Sequence, residues 1–339
     1  MGLYCGIDLH SNNAVYVVAD EQDKPVFKKR LPNDLEVVLR ALEPYREELE
    51  AVAVESTYNW YWLVDGLQEH EYPVRLANPA AIVQFEGLKD ADDETDALFL
   101  AQLCRLDILP EGYIYPKEER SARDLLRRRM LLVQQRTAII LSLRNMFARE
   151  NGSAPGWRHI ARMTSEELTK LTGADECLLF VAKQQIDLIH FFCQRIGLFE
   201  KQGLKMMELR PEYETLLTMP GIGKILGLTI MLETGDINRF AKVGNYTSYC
   251  RCARAKHWSN GKKKADNNRK NGNKYLSWAF VEAVHHAIRY CPPAKKWYQR
   301  KMAQKNGALA TKALASKWAK AAYYILKDQK PFDIGRVFG

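Results

Sequence analysis

The 339-residue sequence predicts an α/β domain followed by two mostly helical regions. Three observations carry that reading. Short β-type runs alternate with helical patterns through the first hundred residues. Apolar residues then recur at heptad spacing through the middle. The last third is helical again, interrupted by a Gly-rich turn and a dense basic loop. The expected regions are 1–112, 113–210 and 211–339.

Residues 3–9 (LYCGIDL), 14–19 (AVYVVA) and 25–31 read as three strands joined by polar turns. Residues 34–49 carry an amphipathic helical pattern with Asp34 near its start. Residues 51–54 (AVAV) are apolar on both faces, as a buried strand requires. A helix over about 59–69, a strand over 74–77, a helix starting near Pro79 and another over about 92–106 follow. Three strands, helix, strand, helix, strand, helix is the order of a ribonuclease-H-like domain, in which an antiparallel meander precedes parallel strands with crossover helices.

In the middle region, Leu125, Leu132, Ile139 and Met146 are spaced by sevens. Leu179, Ala182, Ile186, Ile189, Cys193 and Ile196 alternate threes and fours, which is a coiled-coil seam. Gly152, Pro155 and Gly156 separate the two helices. Such a hairpin can pack on itself or on another copy of the chain, and the reading favours a partner chain. Past residue 211 the pattern stays helical, and 294–327 reads as one amphipathic helix or a pair.

A 47% hydrophobic composition supplies buried cores, and no apolar run approaches the roughly 18 residues of a membrane span. Without a signal-peptide pattern, and with seven cysteines lacking a CxxC pair, a reduced cytoplasmic setting is expected. Charge is asymmetric. Residues 1–100 hold 8 Lys+Arg against 20 Asp+Glu, whereas the remainder holds 42 against 21. That split suggests carboxylates gathered for cations in front and a polyanion partner behind.

Asp8 lies on the first strand and Glu55 just past AVAV, so a ribonuclease-H-like sheet brings them to one end. Asp93 and Asp96 are three apart and share a helix face. Asp90 and Asp92 lie close by and leave the last two acidic positions open by one register. Four converging carboxylates repel unless a divalent cation sits among them, and hard oxygen ligands select Mg²⁺ or Mn²⁺. A pair of such ions suits phosphoryl transfer. An actin-like ATPase or sugar kinase also fits GIDL followed by Asn12 or Asn13, but His10 and Ser11 stand where those proteins need small residues.

Met219-Pro-Gly-Ile-Gly-Lys224 reads as the hairpin of a helix-hairpin-helix, with Gly221, Gly223 and Lys224 meeting a DNA phosphate. Residues 250–274 hold nine Lys/Arg and one Asp, and Trp258 and Tyr275 offer stacking surfaces. Arg251, Arg254, Lys262, Lys263, Lys264, Arg269, Lys270 and Lys274 are its expected nucleic-acid contacts. Ser259 is a candidate nucleophile in that loop, with Tyr246 and Tyr249 as rivals. Cys250, Cys252 and His257 have poor spacing for zinc and no fourth ligand.

The stretches GIDLHSNN, AVESTYNWYWL, KDADDETDALFLAQL, LLTMPGIGKILGLTIMLETGDINRF and YCRC…SNGKKK…NGNKYLSWAFVEA resemble transposases of the insertion-sequence 110 family, in the 1111 subgroup with the Piv-like recombinases. The resemblance implies a RuvC-like domain whose DEDD set falls on Asp8, Glu55, Asp93 and Asp96. It implies a helical oligomerisation region and a C-terminal domain whose serine, here Ser259, links covalently to DNA. It further implies one active site completed between protomers of a dimer or tetramer, and a structured guide (bridge) RNA that pairs with donor and target DNA. Arg127, Arg128 and Arg129 are then expected contacts to RNA, in a prokaryotic, nucleoid-associated enzyme. The alternatives are a Holliday-junction-type nuclease that uses water as nucleophile and a binding protein without catalysis, whose acidic cluster is only surface.

Overall fold

The computed structural model describes residues 2–82, 92–160, 162–173, 175–206, 211–253, 257–259, 262–265 and 271–338, with the segments 257–259 and 262–265 as backbone only. The chain divides into two compact units, Met1–Ile114 and Tyr115–Gly339.

The first unit is built on a mixed five-stranded sheet. Its elements are β1 (Leu3–Leu9), β2 (Asn13–Ala19), β3 (Pro25–Pro32), α1 (Leu35–Leu42), β4 (Leu49–Glu55), α2 (Tyr61–Glu69), β5 (Val74–Ala77) and α3 (Asp93–Arg105). The strand order is β3-β2-β1-β4-β5. The β1–β2 and β2–β3 pairs are antiparallel, while β1–β4 and β4–β5 are parallel. This is the expected meander with crossovers, and it fits a ribonuclease-H-like domain.

Alternation along the strands decides what faces what. Cys5, Ile7, Val52 and Val54 pack with Val38, Leu42, Leu63 and Leu67 of α1 and α2. Ala51, Ala53 and Ala77 point the other way, toward Leu100, Leu103 and Cys104 of α3. Gly6 shares that second face. A Cβ there would overlap the carbonyl oxygen of Ala97, so helix α3 lies directly on β1. Small residues on one face thus bring a helix and its first-turn carboxylates against the central strand.

One expectation changes. The helix expected over 34–49 stops at Leu42 and tightens into a 3₁₀ turn over Glu43–Glu48, because Pro44 cannot donate to the ladder. The helix expected near Pro79 falls mostly on 83–91, outside the described residues.

The second unit contains α4 (Lys117–Asn151), α5 (Trp157–Ile160), α6 (Ser165–Leu171), α7 (Glu176–Lys205), α8 (Pro211–Leu217), α9 (Lys224–Thr234), α10 (Val243–Tyr249), β6 (His257–Ser259), β7 (Lys262–Ala265), α11 (Lys274–Tyr290), α12 (Pro292–Gln304), α13 (Gly307–Asp328) and α14 (Ile334–Phe338). Ile140, Leu143 and Phe147 of α4 pack with Ala182, Ile186 and Ile189 of α7. These seam residues therefore pack on each other within the chain. Ile160 and Leu168 of the connecting helices close the end of that hairpin. The larger core joins α8, α9, α10, α11 and α13, with Ala122 and Leu126 from the start of α4. Buried Trp318 donates from Nε1 to the carbonyl of Pro220 at 3.0 Å and so anchors the turn before α9. The basic loop contains a short antiparallel ladder, β6 with β7, which its lysine-rich sequence did not announce.

Candidate active site

Asp8 sits near the C-terminal end of β1, and Glu55 ends the parallel neighbour β4. The register Ile7↔Val54 places them side by side on the α3 face. Asp8 is buried at 6% exposure. Glu55 is half-buried, and burial together with a hydrogen bond to Asp8 pushes its carboxyl up to about 7. Two carboxyls in that contact cannot both be ionised without a compensating positive charge.

Helix α3 brings the other acids. Asp92 caps it, accepting from Thr95 N and Oγ1 at 2.7 Å each, and those bonds hold its carboxyl below the ordinary range. Asp92 therefore serves the helix. Asp93 and Asp96 occupy its first turn. The Asp96 carboxyl is raised by burial and then by the charges of Asp8, Asp93 and Asp92, which sets it in the field of the cluster. Asp93 is held low, first by a hydrogen bond from Arg30. Asp90 lies outside the described residues.

The structure adds two side chains that sequence reasoning passed over. His10 Nε2 lies 3.4 Å from Asp8 Oδ2 and 3.2 Å from Asp93 Oδ2. Asp8, His10 and Asp93 each offer a ligand atom, and all three atoms lie within 4.8 Å of one another. Arg30 pairs with Asp93. Its place follows from register, since Asp8 opposes Val15 and Val15 opposes Arg30. That signal exists only once the strands are paired. A buried Asp bonded to a Glu, with further carboxylates and an imidazole at hand, is a donor set that fits a hard divalent cation.

In the second unit the predicted nucleic-acid residues separate. Arg127 is ion-paired to buried Glu233, and Arg129 to Glu200, while Arg128 between them is exposed. The guanidiniums of Arg127 and Arg129 are thus engaged in ion pairs within the chain, and Arg128 is the member of the triplet left exposed. Gly221 adopts φ +85°, and a Cβ there would overlap the carbonyl oxygen of Ala283 on α11. The turn therefore packs closely against α11 at this glycine. Gly223 and Lys224, at the start of α9, are exposed. Arg251 donates from Nε to the carbonyl of Gly272 at 2.9 Å, and Lys274 begins α11 with Nζ 5.2 Å from the centre of the Tyr275 ring.

Arg254, Arg269 and Lys270 lie outside the described residues. Ser259 ends β6 and pairs in register with Lys262 at the start of β7, which also carries Lys263 and Lys264; the side chains of all four lie outside the description. Of the rival nucleophiles, Tyr246 is fully buried and hydrogen-bonded to Thr234, and the Tyr249 hydroxyl bonds Tyr115. Tyr246 is thus buried, while Tyr249 is half-buried with its hydroxyl held in a hydrogen bond.

Comparison with known families adds two matches. A DEDD transposase model of the IS110 group matches residues 5–150, the sheet and the start of the helical unit. The model described as Transposase IS116/IS110/IS902 family matches residues 213–299, which include the Gly-rich turn and the basic loop. No curated protein matches the chain significantly. The matches identify a DNA transposase whose first unit fits a ribonuclease-H-like domain. With both matches falling on one chain, the protein belongs to the IS110 family of transposases. Its substrate is DNA, and the DEDD class points to divalent-metal use. Among the described residues no helix is long and apolar enough to cross a membrane.

Proposed function

We propose that the protein cuts and rejoins DNA through a phosphoserine at Ser259, with Mg²⁺ or Mn²⁺ held by Asp8, Glu55, Asp93 and Asp96. The observation that supports it most is the meeting of Asp8 and Glu55 on the α3 face, with the Glu55 carboxyl raised to about 7 by burial and by Asp8. Glu55 hydrogen-bonds Asp8, Asp96 lies in the field of Asp8 and Asp93, and His10 Nε2 lies beside Asp8 and Asp93. A bound divalent ion supplies positive charge against the phosphate oxygens.

The exchange is balanced in atoms and charge. Ser259 Oγ loses its proton and bonds to phosphorus, one deoxyribose oxygen leaves and takes up a proton, and the phosphodiester count is unchanged. Rejoining reverses the exchange with a new deoxyribose hydroxyl, so no nucleotide cofactor is consumed. Clustered Lys and Arg in 250–274 hold the DNA backbone electrostatically. A dimer or tetramer guided by a structured RNA completes the reading, in line with the family resemblance and with exposed Arg128 as an RNA contact.

The test uses the full chain and a supercoiled plasmid carrying the encoding gene with its flanks. Wild type forms a protein–DNA adduct that survives a denaturing gel. Ser259→Ala forms none while still binding the plasmid, and Asp8→Asn loses cleavage. Free DNA ends without an adduct would instead favour water as the nucleophile.

A further inference from the structure

The basic segment leaves the helical core after Tyr249 and returns at Asn273. Both ends connect to one residue, Asn273 through its buried carboxylate and Tyr249 through Tyr115 to its main-chain oxygen. Glu233, near the end of α9, is 2% exposed. Its Oε2 accepts from Asn273 Nδ2 at 2.7 Å and from Arg123 Nε at 3.0 Å, and Arg127 donates to both carboxylate oxygens. Its main-chain oxygen accepts from the Tyr115 hydroxyl at 2.8 Å. That hydroxyl lies 2.8 Å from the Tyr249 hydroxyl, to which Asn273 Nδ2 also donates at 3.3 Å. The two ends are joined directly as well, with Asn273 N donating to the carbonyl of Tyr249 at 2.6 Å. Gly272 makes this closure possible, because its φ is +92° and a Cβ would fall 2.5 Å from the same carbonyl.

A buried charge of this kind is poor value for stability alone, since apolar residues of similar volume would serve as well or better. Burial works against the Glu233 carboxylate, but the Arg127 hydrogen bonds and the Arg123 and Arg127 charges outweigh it, and the group titrates below the ordinary range. Charge-assisted bonds with fixed directions set orientation as well as distance. Here they set it at the base of the segment that carries Ser259 and tie that base to α4.

We propose that Glu233, acting through Asn273 and Tyr249, is a positioning residue that clamps the two ends of segment 250–273 so that it presents its nucleophile in one orientation. The proposal rests on the serine reading above. A nucleophile displaced by about 1 Å loses on the order of 100-fold in rate, so a clamp at the base is worth its charge.

Two conservative variants separate clamping from folding. Asn273→Ser keeps a capping oxygen for Tyr275 N and Leu276 N but removes the amide that reaches Glu233. Tyr249→Phe keeps the ring against Phe240 and Arg239 and removes the hydroxyl. The full chain is assayed on the same plasmid for adduct formation at saturating protein, for plasmid affinity and for melting temperature. Both variants are expected to melt within a few degrees of wild type and bind the plasmid unchanged, while the adduct forms about 10- to 100-fold more slowly. If Ser259→Ala abolishes the adduct yet both variants form it at the wild-type rate, the clamp is refuted and the serine reading stands. A loss of affinity matching the loss of rate also refutes the clamp. If Ser259→Ala still forms the adduct, the serine reading itself fails.

Discussion

Replacing Glu55 by Gln tests the electrostatics of the acidic cluster. Glu55 is held up to about 7 by burial and by Asp8, against an ordinary value of 4.5. Each tenfold shift in proton affinity is about 1.4 kcal/mol, so ionising Glu55 in place costs about 3 kcal/mol more than in the unfolded chain, and solvent screening at a half-buried site trims this to about 2–3 kcal/mol. The sign follows from proton linkage. Below about pH 4.5 the group is protonated in both states and there is no penalty. Between about 4.5 and 7 the folded state binds more protons than the unfolded, so unfolding free energy falls as pH rises, and the loss is complete above about 7. In a chelating buffer, wild type should therefore lose about 2–3 kcal/mol more than Glu55→Gln between about pH 4.5 and 8, read from denaturant unfolding. Millimolar Mg²⁺ should restore wild type at the alkaline end and do little at the acid end, because only ionised carboxylates ligate it. Parallel pH profiles for wild type and variant would refute the assigned cluster.

Gly6→Ala should push α3 away from β1, lower stability by about 1–3 kcal/mol and abolish cleavage, as melting and plasmid assays would show. Asp92→Ala and Asp96→Asn should part company: the first removes a cap worth about 1 kcal/mol and keeps metal-dependent cleavage, the second keeps the helix and loses cleavage. Arg127→Ala should cost about 3–5 kcal/mol by leaving part of the Glu233 charge uncompensated, whereas Arg128→Ala should melt like wild type and bind RNA more weakly in a gel-shift titration.

Much of the first unit was legible because strand alternation and the parallel β1–β4 pairing follow from short apolar runs and their order. Asp8 and Glu55 meet for that reason. What the chain could not announce is anything fixed by register or by approach between distant elements. Arg30 reaches Asp93 only through two strand pairings, and Asp92 is distinguished from Asp93 only by the cap it makes. The arginine triplet 127–129 looks uniformly basic in one dimension, yet helical rotation turns two of its members toward Glu233 and Glu200. The heptads of α4 and α7 specify a seam without specifying whose seam. In the fold they pack on each other, with Ile160 and Leu168 of the connecting helices closing one end.

The most direct measurement is mass spectrometry of the peptide that carries DNA after a reaction quenched in denaturant. The account predicts a phosphodeoxynucleotide on Ser259, dependent on intact Asp8. The same mass on Tyr246 or Tyr249, or cleaved DNA with no modified peptide, would contradict it.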